Sequence, residues 1–120
     1  MKPEAGARVY ARMINIDDLP AMFERHEAEF IEFKRIQTPR HPRPDIAAFL
    51  LLHELVPEDP EYLARVGHAS DMVSAAEHDQ IWLATDVEKF AQVATEEHVI
   101  ELLRCGVNYC EDHDSFFMFV

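Results

Sequence analysis

The chain has 120 residues, of which 48% are apolar, so its length and composition suit one domain with a hydrophobic core and leave little room for two. The longest apolar run, residues 46–52, is too short to cross a membrane, and the N-terminus lacks the apolar core of a secretory signal, so we expect a cytoplasmic protein. A formal net charge of −12 disfavours nucleic acids and anionic membrane surfaces as partners.

The charge is unevenly distributed along the chain. Residues 1–45 hold eight Lys/Arg and eight Asp/Glu, whereas residues 46–120 hold three and fifteen. We therefore expect a single domain, 1–120, with a neutral N-terminal portion and an acidic portion from residue 46 onward. Four basic side chains flank one Pro-rich connection: Lys34, Arg35, Arg40 and Arg43. They could complement the acidic half of a second copy, which predicts a salt-sensitive homodimer.

The N-terminal portion is predicted to contain a strand, a helix and a stiff loop. Residues 8–16 are predicted to form a strand, with neither face clearly polar, that could pair with the C-terminal hairpin. The segment 17–20, Asp-Asp-Leu-Pro, is a helix start, and an apolar stripe continues the helix pattern to Phe33. Three prolines between residues 37 and 44 exclude a helix there.

The middle of the chain is predicted to form short helices. Asp45 begins a helix over residues 46–56, and Pro57 ends it. The segment 59–61, Asp-Pro-Glu, starts another helix, which Gly67 ends. Ser70 is predicted to cap a further helix that reaches His78.

The last forty residues predict a strand, two helices and a hairpin. Residues 81–84 favour a strand, and Thr85 with Glu88 has the capping-box spacing for a helix over 87–94. Thr95 caps a second helix, which Gly106 ends in the left-handed conformation. Residues 107–110 and 115–120 then form the hairpin. The final strand, Ser-Phe-Phe-Met-Phe-Val, lacks alternation, which predicts that both of its faces are covered.

The predicted fold class is therefore α+β, mostly helical, with a small antiparallel sheet. The order of elements from residue 81 to residue 120 resembles a winged helix-turn-helix domain, and residues 99–107 look like the end of a recognition helix that runs into the first wing strand. That resemblance implies DNA binding through the second helix. However, its outward face carries Glu97, Glu101 and only Arg104, and phosphates repel carboxylates.

The sequence thus favours a non-enzymatic module that binds a basic protein through an acidic face. The expected site comprises Glu97, Glu101, Glu111, Asp112 and Asp114, on the second helix and the hairpin tip. The partner expected is a nucleic-acid-handling protein, and the module would act as its inhibitor or adaptor. In size and charge the chain resembles accessory proteins of phages and mobile elements, some of which imitate the charge of DNA.

Two other functions remain open at this point. One is a DNA-binding winged-helix regulator that contacts DNA through the basic side chains around the Pro-rich connection, here called the basic loop, or through its N-terminal arm. The other is a small zinc-dependent protein or enzyme, with His98, Cys105, Cys110 and His113 as ligands, because imidazole and thiolate bind zinc well. Their spacing matches no standard zinc motif, and the three glycines form no phosphate-binding loop, so we expect no metal, no cofactor and no catalytic residue.

Overall fold

The computed structural model describes residues 14–120, and in this range five α-helices and one four-stranded antiparallel sheet form an α+β fold. The helices are α1 Leu19–Arg25, α2 Pro44–Leu55, α3 Pro60–Val66, α4 Val87–Val93 and α5 Glu96–Arg104. The strands are β1 Val73–Glu77, β2 Gln80–Leu83, β3 Val107–Cys110 and β4 Ser115–Phe119. The predicted fold class is confirmed. No helix in the described range is long and apolar enough to cross a membrane.

The helix caps follow local side-chain chemistry. Asp59 caps α3 by accepting from the Glu61 amide, and Gly67 ends that helix at φ 94°. Thr95 caps α5 as predicted. The cap of α4 is Asp86 instead of Thr85, because the Asp86 carboxylate accepts hydrogen bonds from two amides of the first turn.

Helix α1 ends earlier than its apolar stripe predicts. It stops at Arg25 and does not continue to Phe33, and two 3-10 turns replace the missing part. The chain leaves the helix because it packs across α5: the Ile31 amide donates to the Leu103 carbonyl at 2.9 Å. Tertiary packing has therefore overridden the local helical pattern.

The prediction of a helix after Ser70 is wrong, because residues 73–77 form strand β1. This strand pairs with β2 through a tight turn at His78, which has a positive φ of 46°. The apolar residues before the turn are few and small, so pairing with β2 decides their conformation. All five residues of β1 are exposed.

The C-terminal order of strand, two helices and hairpin is as predicted. The order of strands across the sheet is β1-β2-β4-β3, so the last strand lies between β2 and β3. Gly106 ends α5 at φ 91°, which allows the chain to turn directly into β3. The strand predicted at residues 8–16 lies mostly outside the described residues, and its end does not form a strand: Ile14 is buried and Ile16 begins a 3-10 turn.

One cluster of buried side chains joins the helices to one face of the sheet. Its largest fully buried members are Phe90, Phe116, Leu19, Leu51, Leu52, Leu83, Leu102, Leu103, Val99 and Val107. The other face of the sheet is more open. Phe116 and Met118 of β4 are buried, Phe117 is half-buried and Phe119 is 57% exposed, so the expectation that both faces are covered is wrong.

Candidate functional site

Arginines of this chain neutralise part of its acidic surface. Among residues 14–120, four arginines form ion pairs with carboxylates: Arg25, Arg35, Arg40 and Arg104. Arg40, from the Pro-rich connection, bridges α2 and α5 by bonding Glu54 and, at 2.8 Å, Glu101. This internal use of Arg40 weakens the case for a homodimer held by the basic loop.

Because of these ion pairs, α5 presents fewer free carboxylates than the sequence predicts. Glu101 is only 22% exposed and is bonded to Arg40, while Glu97 is exposed and has no ion-pair partner among residues 14–120. At the start of the helix, Glu96 bonds His26 and Arg25, and these contacts lower its pKa. Glu97 is thus the one predicted α5 residue that presents an uncompensated charge.

The hairpin tip carries the other three predicted residues, all exposed. Asp114 has a positive φ of 50°, a conformation that aspartate tolerates, and it accepts a 2.6 Å hydrogen bond from the Tyr109 hydroxyl. Burial, with this carboxylate as a further cause, raises the pKa of Tyr109. Glu111 and Asp112 have no such partner among the described residues. The tip therefore offers two uncompensated carboxylates and one that holds the turn.

A groove between α1 and β3 gathers further carboxylates beside the tip. It has a volume of about 570 Å³, and we call it the acidic groove. Its acidic lining residues are Asp17, Glu24, Glu27 and Glu111, and its other lining residues are Pro20, Ala21, Phe23, Asn108 and Tyr109. Among residues 14–120, no lysine or arginine lines it.

Sequence reasoning missed three of the acidic-groove carboxylates. Glu24 and Glu27 stand three apart, the spacing of neighbours on a helix surface, which is the only local signal. Asp17 and Glu111 are far apart in the chain, and they meet only because α1 packs on β3. The sequence predicted Glu111 at the hairpin tip but did not predict that it lines a groove with Asp17, Glu24 and Glu27.

A second open region lies on the face of the sheet opposite the core. The ring centroids of Trp82 and Phe117 are 5.5 Å apart, and those of Phe117 and Phe119 are also 5.5 Å apart. His113, from the hairpin tip, meets Trp82 edge-on at 4.6 Å. These four rings form an aromatic strip that begins at the acidic tip.

An apolar groove of about 670 Å³ opens at the end of the sheet. Phe49, Ile81 and Met118 contribute to its lining, and Ile31 stands at its rim, 68% exposed. Asp45 is the single charged side chain among its described lining residues, so this part of the groove lacks the charges that would select a basic partner.

The four candidate zinc ligands do not assemble. Among residues 14–120 no three His, Cys, Asp or Glu side chains are grouped so as to hold a metal ion. Burial raises the pKa of the Cys105 thiol to about 12, which disfavours the thiolate that zinc requires. His98 uses Nδ1 to accept from the Thr95 amide, and His113 packs on Trp82. Cys110 is half-buried in β3.

The DNA-binding alternative also gains no support on α5. Arg104, the basic residue of its last turn, donates to Glu29 at 2.9 Å and is 24% exposed. This hydrogen bond is the main reason that the pKa of Glu29 is lowered. A recognition helix needs cations and donors that are free to reach phosphates and bases, and α5 presents Glu97 instead.

A scan against protein-family models and searches of curated proteins and of solved structures found no match to this chain.

Proposed function

We propose that the protein is a non-enzymatic module that binds a basic segment of another protein in the acidic groove and at the adjoining hairpin tip. The observation that carries this proposal is the lining of the groove, to which the described part of the chain contributes four carboxylates and no basic side chain. The site differs from the one expected from sequence alone, because the acidic groove includes Asp17, Glu24 and Glu27 and does not include Glu97 or Glu101.

The electrostatic support comes from the balance of charges. Residues 14–120 contain twenty-two Asp and Glu side chains, and four of them form an ion pair with a described arginine, while a fifth, Glu58, contacts His53. The others leave a strong negative potential, which speeds the approach of a positively charged partner and repels anionic ones. Binding of this kind weakens with salt, because the groove is open to solvent.

The floor of the acidic groove supports a peptide ligand over a simple cation. Phe23 and Tyr109 have ring centroids 6.0 Å apart, and Pro20 is half-buried beside them. Burying an apolar side chain on this floor adds affinity that charge alone does not supply. The ligand proposed is therefore a short segment that has basic residues on either side of an apolar one.

The partner proposed is a nucleic-acid-handling protein, since surfaces that grip phosphates are rich in lysine and arginine. By covering such a surface in the cytoplasm, the module would act as an inhibitor or adaptor, in the manner of small accessory proteins of phages and mobile elements.

The test is a charge reversal with a matched control. The double variant Glu24→Lys/Glu27→Lys should weaken binding of a labelled peptide of sequence Lys-Arg-Leu-Lys-Arg by about tenfold or more, measured by fluorescence anisotropy at low salt. The control Glu61→Lys/Glu88→Lys changes the net charge equally, on exposed positions of α3 and α4, and should weaken binding by less than about threefold.

Equal losses in the two double variants would show that overall charge, and not the groove, attracts the peptide. No measurable binding of the peptide to the unaltered protein would refute the proposed function itself.

A further inference from the structure

The pairing of the strands identifies the residues on the outer face of the sheet, opposite the core, because side chains of directly paired residues lie on the same face. Trp82 pairs with Phe117 on one side and with Ala75 on the other. In the next row Gln80 lies between Phe119 and Glu77. The outer face thus combines three large aromatic side chains with a carboxylate on the edge strand.

The aromatic rings of this face are accessible. Trp82 and Phe117 are half-buried, and Phe119 and His113 are exposed. Ala75 has a small side chain, so it does not cover the indole from the side of β1. A row of adjacent aromatic rings left open to solvent is a feature of binding surfaces.

The charged residues that the sheet and its turns themselves contribute are all acidic at neutral pH. Residues 67–85 and 105–120, which contain all four strands and their turns, include no lysine or arginine. Asp112 and Asp114 flank His113, which touches Trp82, and Glu77 lies at the β1 side. Platforms that stack nucleic-acid bases need basic surroundings, whereas aromatic faces beside carboxylates attract organic cations.

The edge of the sheet allows an extended segment to approach. Strand β1 is one of the two edge strands of the sheet formed within residues 14–120, and all five of its residues are exposed. A register shift between Val73 and Ala75 limits regular pairing to the part from Ala75 to Glu77. A segment paired with β1 would lie two strand spacings, roughly 10 Å, from β2, so a long side chain such as arginine can reach across Ala75 to Trp82.

We propose that the outer face is an arginine-binding site, in which Trp82 stacks against a guanidinium group of an extended partner segment and Glu77 and Asp112 pair with flanking arginines. This inference rests on the proposed function, and it adds a preference for arginine over lysine. A planar guanidinium can stack on an aromatic ring and donate hydrogen bonds to a carboxylate at the same time. The compact ammonium group of lysine is less suited to this combination. The hairpin tip borders both surfaces, so one basic segment can occupy the acidic groove and the outer face.

Trp82 is the single tryptophan of the chain, so its fluorescence reports directly on this site. The probe is an eight-residue peptide of alternating arginine and serine, compared with peptides in which lysine or uncharged citrulline replaces arginine. We expect a saturable change in Trp82 fluorescence with the arginine peptide, affinity several-fold weaker for the lysine peptide, and no change with the citrulline peptide.

Two variants complete the test. Trp82→Leu should weaken binding of a labelled arginine peptide about fivefold, measured by anisotropy. Tyr62→Leu removes an aromatic ring from α3 and should leave the affinity unchanged. Circular dichroism establishes that each variant is folded. If Trp82→Leu does not fold, Glu77→Lys/Asp112→Lys takes its place, with Trp82 fluorescence as the readout and the same loss expected.

The outcomes separate the two proposals. If the arginine peptide binds without changing Trp82 fluorescence and only Glu24→Lys/Glu27→Lys weakens it, the outer-face site is refuted and the acidic groove stands. If no basic peptide binds, both proposals are refuted. Tighter binding of single-stranded oligothymidine than of the arginine peptide, with a change in Trp82 fluorescence, would also overturn the arginine site.

Discussion

Replacing Ile31 by asparagine should stabilise the protein, although it removes an apolar side chain. Ile31 has a positive φ of 58°, a conformation that β-branched residues avoid. The chain holds it there through the bond from its amide to the Leu103 carbonyl at 2.9 Å.

The expected gain follows from two opposing contributions. Left-handed backbone costs an ordinary residue roughly 1–2 kcal/mol, and asparagine tolerates this conformation better than isoleucine. The Ile31 side chain is 68% exposed, so about a third of its burial energy, about 0.5–1 kcal/mol, is lost on replacement. Ile31→Asn should therefore raise the free energy of unfolding by about 0.5–1 kcal/mol and the melting temperature by about 2–6 °C.

Equilibrium unfolding in urea, followed by far-UV circular dichroism, measures this difference. Ile31→Val is the matched control, because valine keeps the branched Cβ and hence the strain, and its stability should equal or fall slightly below that of the unaltered protein. If Ile31→Asn is no more stable than Ile31→Val, then the strain at residue 31 is not a significant cost and the reasoning fails.

Two further stability predictions concern histidines. Burial lowers the pKa of His98, so the folded state binds a proton less readily than the unfolded state and stability should fall as pH drops below about 6.5. Protonation would also remove the bond that Nδ1 accepts from the Thr95 amide. His98→Gln keeps an acceptor that does not titrate and should lose less stability between pH 7 and pH 5 in urea titrations; parallel curves for the two proteins would contradict this. His78→Gly relieves the positive φ in the β1–β2 turn and should stabilise by about 0.5–1 kcal/mol in thermal unfolding. Asp79→Gly, at the neighbouring position without a positive φ, should not stabilise the protein. Equal effects of the two substitutions would show that the positive φ of His78 is not the cause.

The sequence alone determined the elements that depend on neighbouring residues. The helix bounded by Asp59 and Gly67, the cap at Thr95, the left-handed end at Gly106 and the C-terminal hairpin are all where the sequence predicts them. Each depends on a hydrogen bond or a dihedral preference that acts within a few residues. The exposed carboxylates Glu97, Glu111 and Asp112 also followed from their positions on a helix and a turn.

Only the tertiary structure decided which of the charges are available and where they meet. Glu101 stands on the outward side of its helix in the sequence pattern, yet Arg40, from the Pro-rich connection, neutralises it. The acidic groove likewise needs α1 to end early and pack beside β3, so that Glu24 and Glu111 line one surface. Attraction between charges depends on distance in space, and the distances between residues far apart in the chain are set by packing of the core.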